Sequence, residues 1–111
     1  MYVKNLTKDL EFDLRTKNSD LNKEIKGVYC CDLLSWVMSH AKQGDAWITV
    51  QTHTNIVAVA SLLEISCIII PEGIEIDEET IEKANEEDII IMSTTLNNYE
   101  IFCKLYGSGL K

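Results

Sequence analysis

A cluster of hydrogen-bonding side chains separates two apolar segments in the middle of the chain. The sequence QTHTN, residues 51–55, lies between the apolar runs at 47–50 and 56–60. Hydroxyl, amide and imidazole groups in this pattern fit three roles: catalysis, ligand contact, or capping of a following helix. A second hydroxyl-rich stretch, Ser93-Thr94-Thr95, follows another apolar run. These two stretches are the first candidates for a functional site.

A nucleophilic enzyme is one hypothesis for these residues. His53 would act as the base, and Cys31 or Ser93 as the nucleophile, in a small hydrolase or transferase. No GxGxxG, GxxxxGK[ST] or GxSxG motif accompanies them, and the sequence offers no paired catalytic carboxylates. The cysteines have no CxxC spacing, so we expect neither a metal nor a cofactor. We favour the alternative hypothesis, a non-catalytic domain that is not an enzyme.

The N-terminal sequence predicts the compartment of the protein and, through it, the state of the four cysteines. The N-terminus lacks the apolar stretch of a signal peptide, so we expect a cytoplasmic protein whose cysteines are thiols. Cys30 and Cys31 fit either a reactive pair near a helix N-terminus or small hydrophobic residues of the core. We favour the core interpretation for both.

Size and charge limit the possible partners. The 111 residues suit a single domain spanning 1–111, and the apolar fraction of 46% is ordinary for a globular protein. Acidic residues outnumber lysine plus arginine by 18 to 10, which gives a formal charge of −8. A surface with that balance repels phosphate backbones, so we expect no nucleic-acid partner. The apolar runs are too short to span a bilayer, so we expect no membrane partner.

Short apolar runs alternate with helix-period segments from about residue 25 onward. Because strands joined by helices pair in parallel, this alternation predicts an α/β sandwich with helices covering the sheet. Asp32 is the predicted N-cap of the first of these helices, and Gly44 its predicted end. Residues 1–24 form a less regular extension, with a short helix and a half-exposed strand. The predicted strands are 25–31, 46–50, 66–70 and 88–92, and the predicted helices are 32–42, 55–63, one beginning after Asp77, and one before Gly107.

The predicted site lies where the strands end. In a parallel sheet, ligands bind beyond the carboxyl ends of the strands, next to helix N-termini that attract anions. We therefore predict contacts to a small anionic ligand, such as a nucleotide or a phosphorylated metabolite, from Thr52, His53, Asn55, Ser93 and Thr94. The alternative is that Thr52, Thr54 or Asn55 only caps the helix at 55–63.

The order of these segments resembles the DRTGG domain family from Asp20 to about Tyr106. The most specific segments are 29–34, Gly44-Asp45, 47–49, 51–53, 57–60 and Ser93-Thr94. The motif that names the family falls at residues 22–28, where this sequence departs from it. Asparagine stands in place of the aspartate, lysines replace the arginine and the threonine, and Gly27 is the one glycine that remains. The resemblance adds Gly27 to the predicted site, as a tight-turn residue.

The resemblance implies a regulatory module and not an enzyme. Similar domains occur next to CBS pairs in some pyrophosphatases and beside the catalytic domains of phosphate acetyltransferases. The implied fold is a three-layer α/β/α sandwich with a mostly parallel sheet, similar to the N-terminal domains of HPr kinase/phosphorylase and MurF. The implied assembly is a homodimer that senses a small ligand or docks another protein. The aromatic residues support a dimer, since they exceed what one small core would bury: Trp36, Trp47, Tyr99, Phe102 and Tyr106.

Overall fold

The fold alternates strands and helices along most of the chain. A computed structural model describes residues 1–18 and 20–110. Ser19 and Lys111, which the predicted domain 1–111 includes, lie outside the described residues. The strands are β1 (Asp13–Leu14), β2 (Gly27–Cys30), β3 (Asp45–Ile48), β4 (Cys67–Ile70) and β5 (Ile91–Ser93). The helices are α1 (Lys4–Lys8), α2 (Leu34–His40), α3 (Asn55–Leu63), α4 (Glu78–Glu87) and α5 (Asn98–Gly107).

The five strands form one sheet in the order β1-β5-β4-β3-β2. Strands β2 to β5 are parallel, and each pairs with the next strand along the chain. Strand β1 joins the far edge antiparallel to β5, with Asp13 opposite Ser93. The mostly parallel sheet predicted from the sequence is confirmed.

The sheet is buried on both faces, because alternate side chains of each strand point to opposite sides. Trp47, Ile68 and Ile70 pack with residues of α2, α3 and α4 on one face. Ile48, Ile69 and Met92 pack with residues of α1 and α5 on the other. The isoleucine runs therefore belong to strands covered on both faces. This arrangement confirms the three-layer α/β/α sandwich.

The N-terminal extension is an integral part of the fold. Its predicted helix and strand are α1 and β1, and Leu6 and Phe12 are buried in the same cluster as α5. The backbone N–H of Val3 donates to the carbonyl of Lys23, and that of Ile25 donates to the carbonyl of Met1. Residues 1–24 thus complete the second helical layer. In the described part of the chain, no helix is long and apolar enough to cross a membrane.

Helix α2 is shorter than the sequence predicts. Its N-cap is Leu33, not Asp32, and it ends at His40, since the C-cap residue Ala41 has an extended backbone conformation. Gly44 instead occupies the turn before β3 with φ of 85°. Asp32 is unavailable for capping because its side chain bonds to another loop. Strand β5 also begins later than predicted, since Asp88 ends α4 in the left-handed conformation.

Candidate functional site

The loop that carries the QTHTN sequence is fixed by an aspartate on the neighbouring loop. Oδ1 of Asp32 accepts hydrogen bonds from Thr49 Oγ1 and from the Val50 backbone N–H, each at 2.9 Å. The Gln51 side chain also bonds to this residue, since its Nε2 donates to the backbone carbonyl of Asp32 at 3.0 Å. These three bonds join the loop after β2 to the segment 49–54, which we call the 49–54 loop. The carboxylate predicted to cap α2 serves this junction instead.

A second anchor holds the 49–54 loop to helix α4. The hydroxyl of Thr80, which is fully buried, donates to the Thr52 carbonyl at 2.6 Å. A buried carbonyl without such a partner would cost free energy, so this bond fixes where the loop meets α4. The side chain of His53 remains exposed beyond this anchor. The loop backbone is therefore held from two sides while its tip faces solvent.

The start of α3 is not capped as predicted. Thr54 occupies the N-cap position with helical dihedral angles and makes no side-chain capping bond. The imidazole of His53 lies nearest, with Nδ1 3.5 Å from the Asn55 backbone nitrogen and 3.5 Å from Thr54 Oγ1. The prediction that Thr52, Thr54 or Asn55 caps this helix is therefore wrong. The local turn places the His53 ring near the Asn55 N–H, but at 3.5 Å this contact is too long to serve as a strong cap.

Ser93 and Thr94 lie at the end of β5, apart from the 49–54 loop. Both are buried, and Ser93 Oγ accepts from Arg15 Nη1 at 3.4 Å. Thr94 Oγ1 accepts from the Leu96 backbone N–H at 3.2 Å. Strand β4 separates β5 from β3, and two strand spacings amount to roughly 10 Å. Ser93 therefore contacts the segment after β1, Thr94 holds its own loop, and neither side chain is hydrogen-bonded to His53.

The crevice between the ends of β4 and β5 is bridged by backbone. The connection after β4 leads to α4 on one face of the sheet, and the connection after β5 leads to α5 on the other face. A crevice between two such diverging connections is where α/β proteins usually bind ligands. Here the N–H of Glu72 donates to the Leu96 carbonyl, and the N–H of Gly73 donates to the Thr94 carbonyl, each at 2.9 Å. These bonds occupy the usual ligand position.

Gly27 lies at the amino ends of the parallel strands, whereas the other predicted site residues lie beyond their carboxyl ends. It is the first residue of β2 and is paired with Asp45, so the tight-turn role predicted for it is wrong. A Cβ at this position would lie 2.8 Å from Asp45 Oδ1. Asp45 is buried, and its Oδ2 accepts from the Lys42 backbone N–H at 2.8 Å, so its carboxylate has little room to move. The glycine is thus needed for a close approach between neighbouring strands.

A groove of about 540 Å³ opens at this amino edge, and sequence reasoning missed it. Lys23 and Lys26, from the segment of the eroded motif, line one part of it. Glu64 and Asp88, which end α3 and α4, line another part, and both have left-handed backbone conformations. The sequence did contain a signal for this groove. Two helices end in acidic residues at positions where glycine is favoured. The groove combines both signs of charge and is less suited to an anion than a purely basic pocket.

The proposed nucleophiles do not meet the proposed base. The thiol of Cys31 lies 3.9 Å from the Leu33 carbonyl, and the hydroxyl of Ser93 contacts Arg15. Among the described residues, neither is hydrogen-bonded to His53, whose ring contacts are with Thr54 and Asn55. The nucleophile–base contact that the enzyme hypothesis requires is not formed.

Cys30 and Cys67 have the environments of core residues, whereas Cys103 is exposed. Burial, followed by the charges of Asp32 and Cys31, raises the pKa of the Cys30 thiol. Burial raises the pKa of Cys67 to about 12. A reactive cysteine requires a lowered pKa, so the core interpretation fits Cys30. All four cysteines are free thiols.

Comparisons with known proteins give one family and one fold. The sequence model of the DRTGG domain matches residues 5–107. A solved structure of the CBS and DRTGG domains from the regulatory region of Clostridium perfringens pyrophosphatase, in complex with the activator diadenosine tetraphosphate, is similar with a TM-score of 0.67. The two share 18% identity over 88% of this chain and 43% of that one, so this chain spans less than half of that structure. None of the curated proteins matches.

Proposed function

Because the chain belongs to the DRTGG domain family, we propose that it is a non-catalytic regulatory domain that senses a small anionic ligand, such as a nucleotide or a phosphorylated metabolite. The similar pyrophosphatase region is regulatory and binds a nucleotide activator, which supports both the role and the ligand class. We place the ligand at the tip of the 49–54 loop, against Thr52, His53 and Asn55. Ser93, Thr94 and Gly27, which were also predicted site residues, do not contact the ligand in this proposal.

The observation that carries this site is the double anchoring of an exposed polar tip. Asp32 and Thr80 hold the loop backbone, so binding at the tip does not have to order that backbone. The amino end of α3 adds the positive end of a nine-residue helix dipole. Asn55 also lines the groove between α3 and α4, together with Glu79, Glu82, Lys83 and Glu86. We therefore place the anion on the His53 side of the loop tip, away from these glutamates.

A thermal-shift screen tests the ligand. The probes are adenine nucleotides, diadenosine polyphosphates and phosphorylated metabolites, each at saturating concentration. A ligand at about 100 times its Kd stabilises the folded state by about 2.7 kcal/mol, which is a clear rise in Tm. If no probe raises the Tm, the small-molecule proposal is rejected, and docking of another protein becomes the function to test.

Two substitutions test the position of the site. His53→Ala and Asn55→Ala should weaken binding of the hit by roughly tenfold each, since each removes a polar contact. Ser61→Ala, at the far end of the same helix and also exposed, is the matched control and should leave affinity unchanged. NMR chemical-shift changes confined to Lys23 and Lys26 would move the site to the amino-edge groove.

We also propose that the domain works in the cytoplasm as a homodimer. Its four free thiols fit a reducing compartment. Of the five aromatic residues that prompted the dimer hypothesis, Trp47 is fully buried, whereas Trp36, Tyr99, Phe102 and Tyr106 are 41–75% exposed. Exposed aromatic residues at this density favour a protein interface. Sedimentation equilibrium of the purified chain tests the homodimer.

A further inference from the structure

Two exposed aliphatic side chains lie where the loop after β2 meets the 49–54 loop. Leu33 is 63% exposed and Val50 is 39% exposed. Leu33 follows Asp32 directly in the chain, and the backbone N–H of Val50 donates to Asp32 Oδ1 at 2.9 Å. The hydrogen bond to Asp32 therefore holds Val50 close to Leu33. We call Leu33 and Val50 the junction pair.

The junction pair lies on the α2 side of the loop tip. Helices α2, α3 and α4 cover the same face of the sheet, and α3 contacts both of the others. Because the three helices follow the neighbouring strands β2, β3 and β4, α3 lies between α2 and α4. A ligand that avoids the glutamates of α4 is therefore displaced toward α2, whose N-cap is Leu33.

Charge distinguishes the two ends of this surface. Asp32 places a carboxylate beside the junction pair, and its negative charge disfavours an anion there. The amino end of the nine-residue helix α3 favours an anion beside His53. His53 lies three residues beyond Val50, and three residues span at most about 11 Å. A ligand with an apolar end and an anionic end fits this arrangement.

We propose that the junction pair contacts the base of a nucleotide whose phosphate groups lie against His53. This inference rests on the anionic ligand of the proposed function and narrows its class to nucleotides. The flat face of a base covers aliphatic side chains and removes them from water. A phosphorylated sugar or an inorganic phosphate has no such face, so Leu33 and Val50 are specificity-determining residues.

Isothermal titration calorimetry of the full chain with matched probes tests the base contact. ADP carries a base and an anion, ribose 5-phosphate and pyrophosphate lack the base, and adenosine lacks the anion. We expect ADP to bind at least about tenfold more tightly than ribose 5-phosphate or pyrophosphate, a difference within reach of burying one aliphatic side chain. Adenosine should also bind more weakly than ADP, since nothing in it is attracted by the amino end of α3.

Leu33→Ser and Val50→Thr remove the apolar contacts and keep the fold. Leu33 occupies the N-cap position of α2, where serine is preferred, so Leu33→Ser should fold at least as well as the wild type. It should weaken ADP binding by roughly tenfold, and Val50→Thr by roughly threefold, with no change for pyrophosphate. Leu62→Ser is the matched control, because Leu62 is 66% exposed on α3, and it should bind ADP like the wild type.

Tryptophan fluorescence locates the base independently. Of the two tryptophans, Trp47 is fully buried, whereas Trp36 is 51% exposed and follows Leu33 by one helical turn, a rise of about 5 Å. A base on Leu33 therefore lies near the Trp36 indole, so ADP should change its emission and pyrophosphate should not. Trp36→Phe should abolish the change.

Two sets of results would overturn the inference, and they differ in what else they reject. If pyrophosphate binds as tightly as ADP, or if Leu33→Ser leaves the affinity for ADP unchanged, the junction pair does not contact a base, while anion sensing by the 49–54 loop stands. If none of the four probes binds, the base contact and the small-molecule proposal are both rejected.

Discussion

Replacing Asp32 should separate the loops that frame the candidate site. In Asp32→Ala, the Thr49 hydroxyl and the Val50 N–H lose their shared acceptor. Thr49 is 1% exposed, and a hydroxyl at such a buried position that loses its acceptor costs about 1–3 kcal/mol. Val50 is 39% exposed, so its N–H finds water and costs only about 0.5 kcal/mol. The sum is roughly 1.5–3.5 kcal/mol.

The matched variant Asp32→Asn keeps an oxygen in the same place. It should cost about 1 kcal/mol or less, which is the loss of the charge in the two bonds. At about 4 °C per kcal/mol for a domain of this size, Asp32→Ala should lower the Tm by about 6–14 °C and Asp32→Asn by about 4 °C or less. Thermal denaturation followed by circular dichroism measures both shifts.

Thr49→Val distinguishes the loop junction from helix capping. If Asp32 works through Thr49, this substitution should destabilise the chain by about 1 kcal/mol or more. If Asp32 only capped α2, Thr49→Val would be nearly neutral and Asp32→Asn would match the wild type, since asparagine caps as well as aspartate. A decrease in Tm of less than about 3 °C in Asp32→Ala would refute the conclusion that the hydrogen bonds of this carboxylate stabilise the fold.

Three further perturbations test the fold. Thr80→Val should cost about 1–2 kcal/mol in denaturant melts by removing the anchor of the 49–54 loop, whereas Thr80→Ser should cost less because it keeps the hydroxyl. Gly27→Ala should destabilise by about 1–3 kcal/mol because its Cβ would meet Asp45 Oδ1 at 2.8 Å. Gly107→Ala, with nothing within 4 Å, should be neutral or stabilising, and equal effects would contradict this contrast. Because the pKa of Cys67 is about 12 in the folded chain and about 9 when exposed, the unfolded state loses its proton first as pH rises. This contribution to the free energy of unfolding is fully present below pH 9 and is lost between about pH 9 and 12, at up to about 1.4 kcal/mol per pH unit. In Cys67→Ala, the free energy of unfolding measured by urea denaturation should therefore depend less on pH in this range.

The architecture was predictable because burial dominates the strand signals. Ile68, Ile69 and Ile70 form an apolar run too short for a buried helix and flanked by helix-period segments, which is typical of a strand covered on both faces. The predicted helix at 55–63 has the observed bounds. Such local patterns determine which segments are strands and helices, and the helical connections require parallel pairing.

The candidate site was only partly predictable, because its bonds join residues distant in sequence. Asp32 has the features of an N-cap among its neighbours, yet its acceptor oxygen is used by Thr49, 17 residues later. The separation of Ser93 from His53 follows from strand order, which local patterns do not specify. The anchor from Thr80 spans 28 residues and has no local signal.

The strand order also determines how this chain assembles. Strands β2 to β5 each pair with the next strand synthesised, so four fifths of the sheet needs only short-range loop closure. Strand β1 is made first, yet its partner β5 lies 80 positions later, as Asp13 pairs with Ser93. Until β5 emerges from the ribosome, the surface against which Val3, Leu6 and Phe12 pack is incomplete, so these apolar side chains stay exposed. We expect the N-terminal segment to dock last, and the nascent chain to be most prone to aggregation before that step.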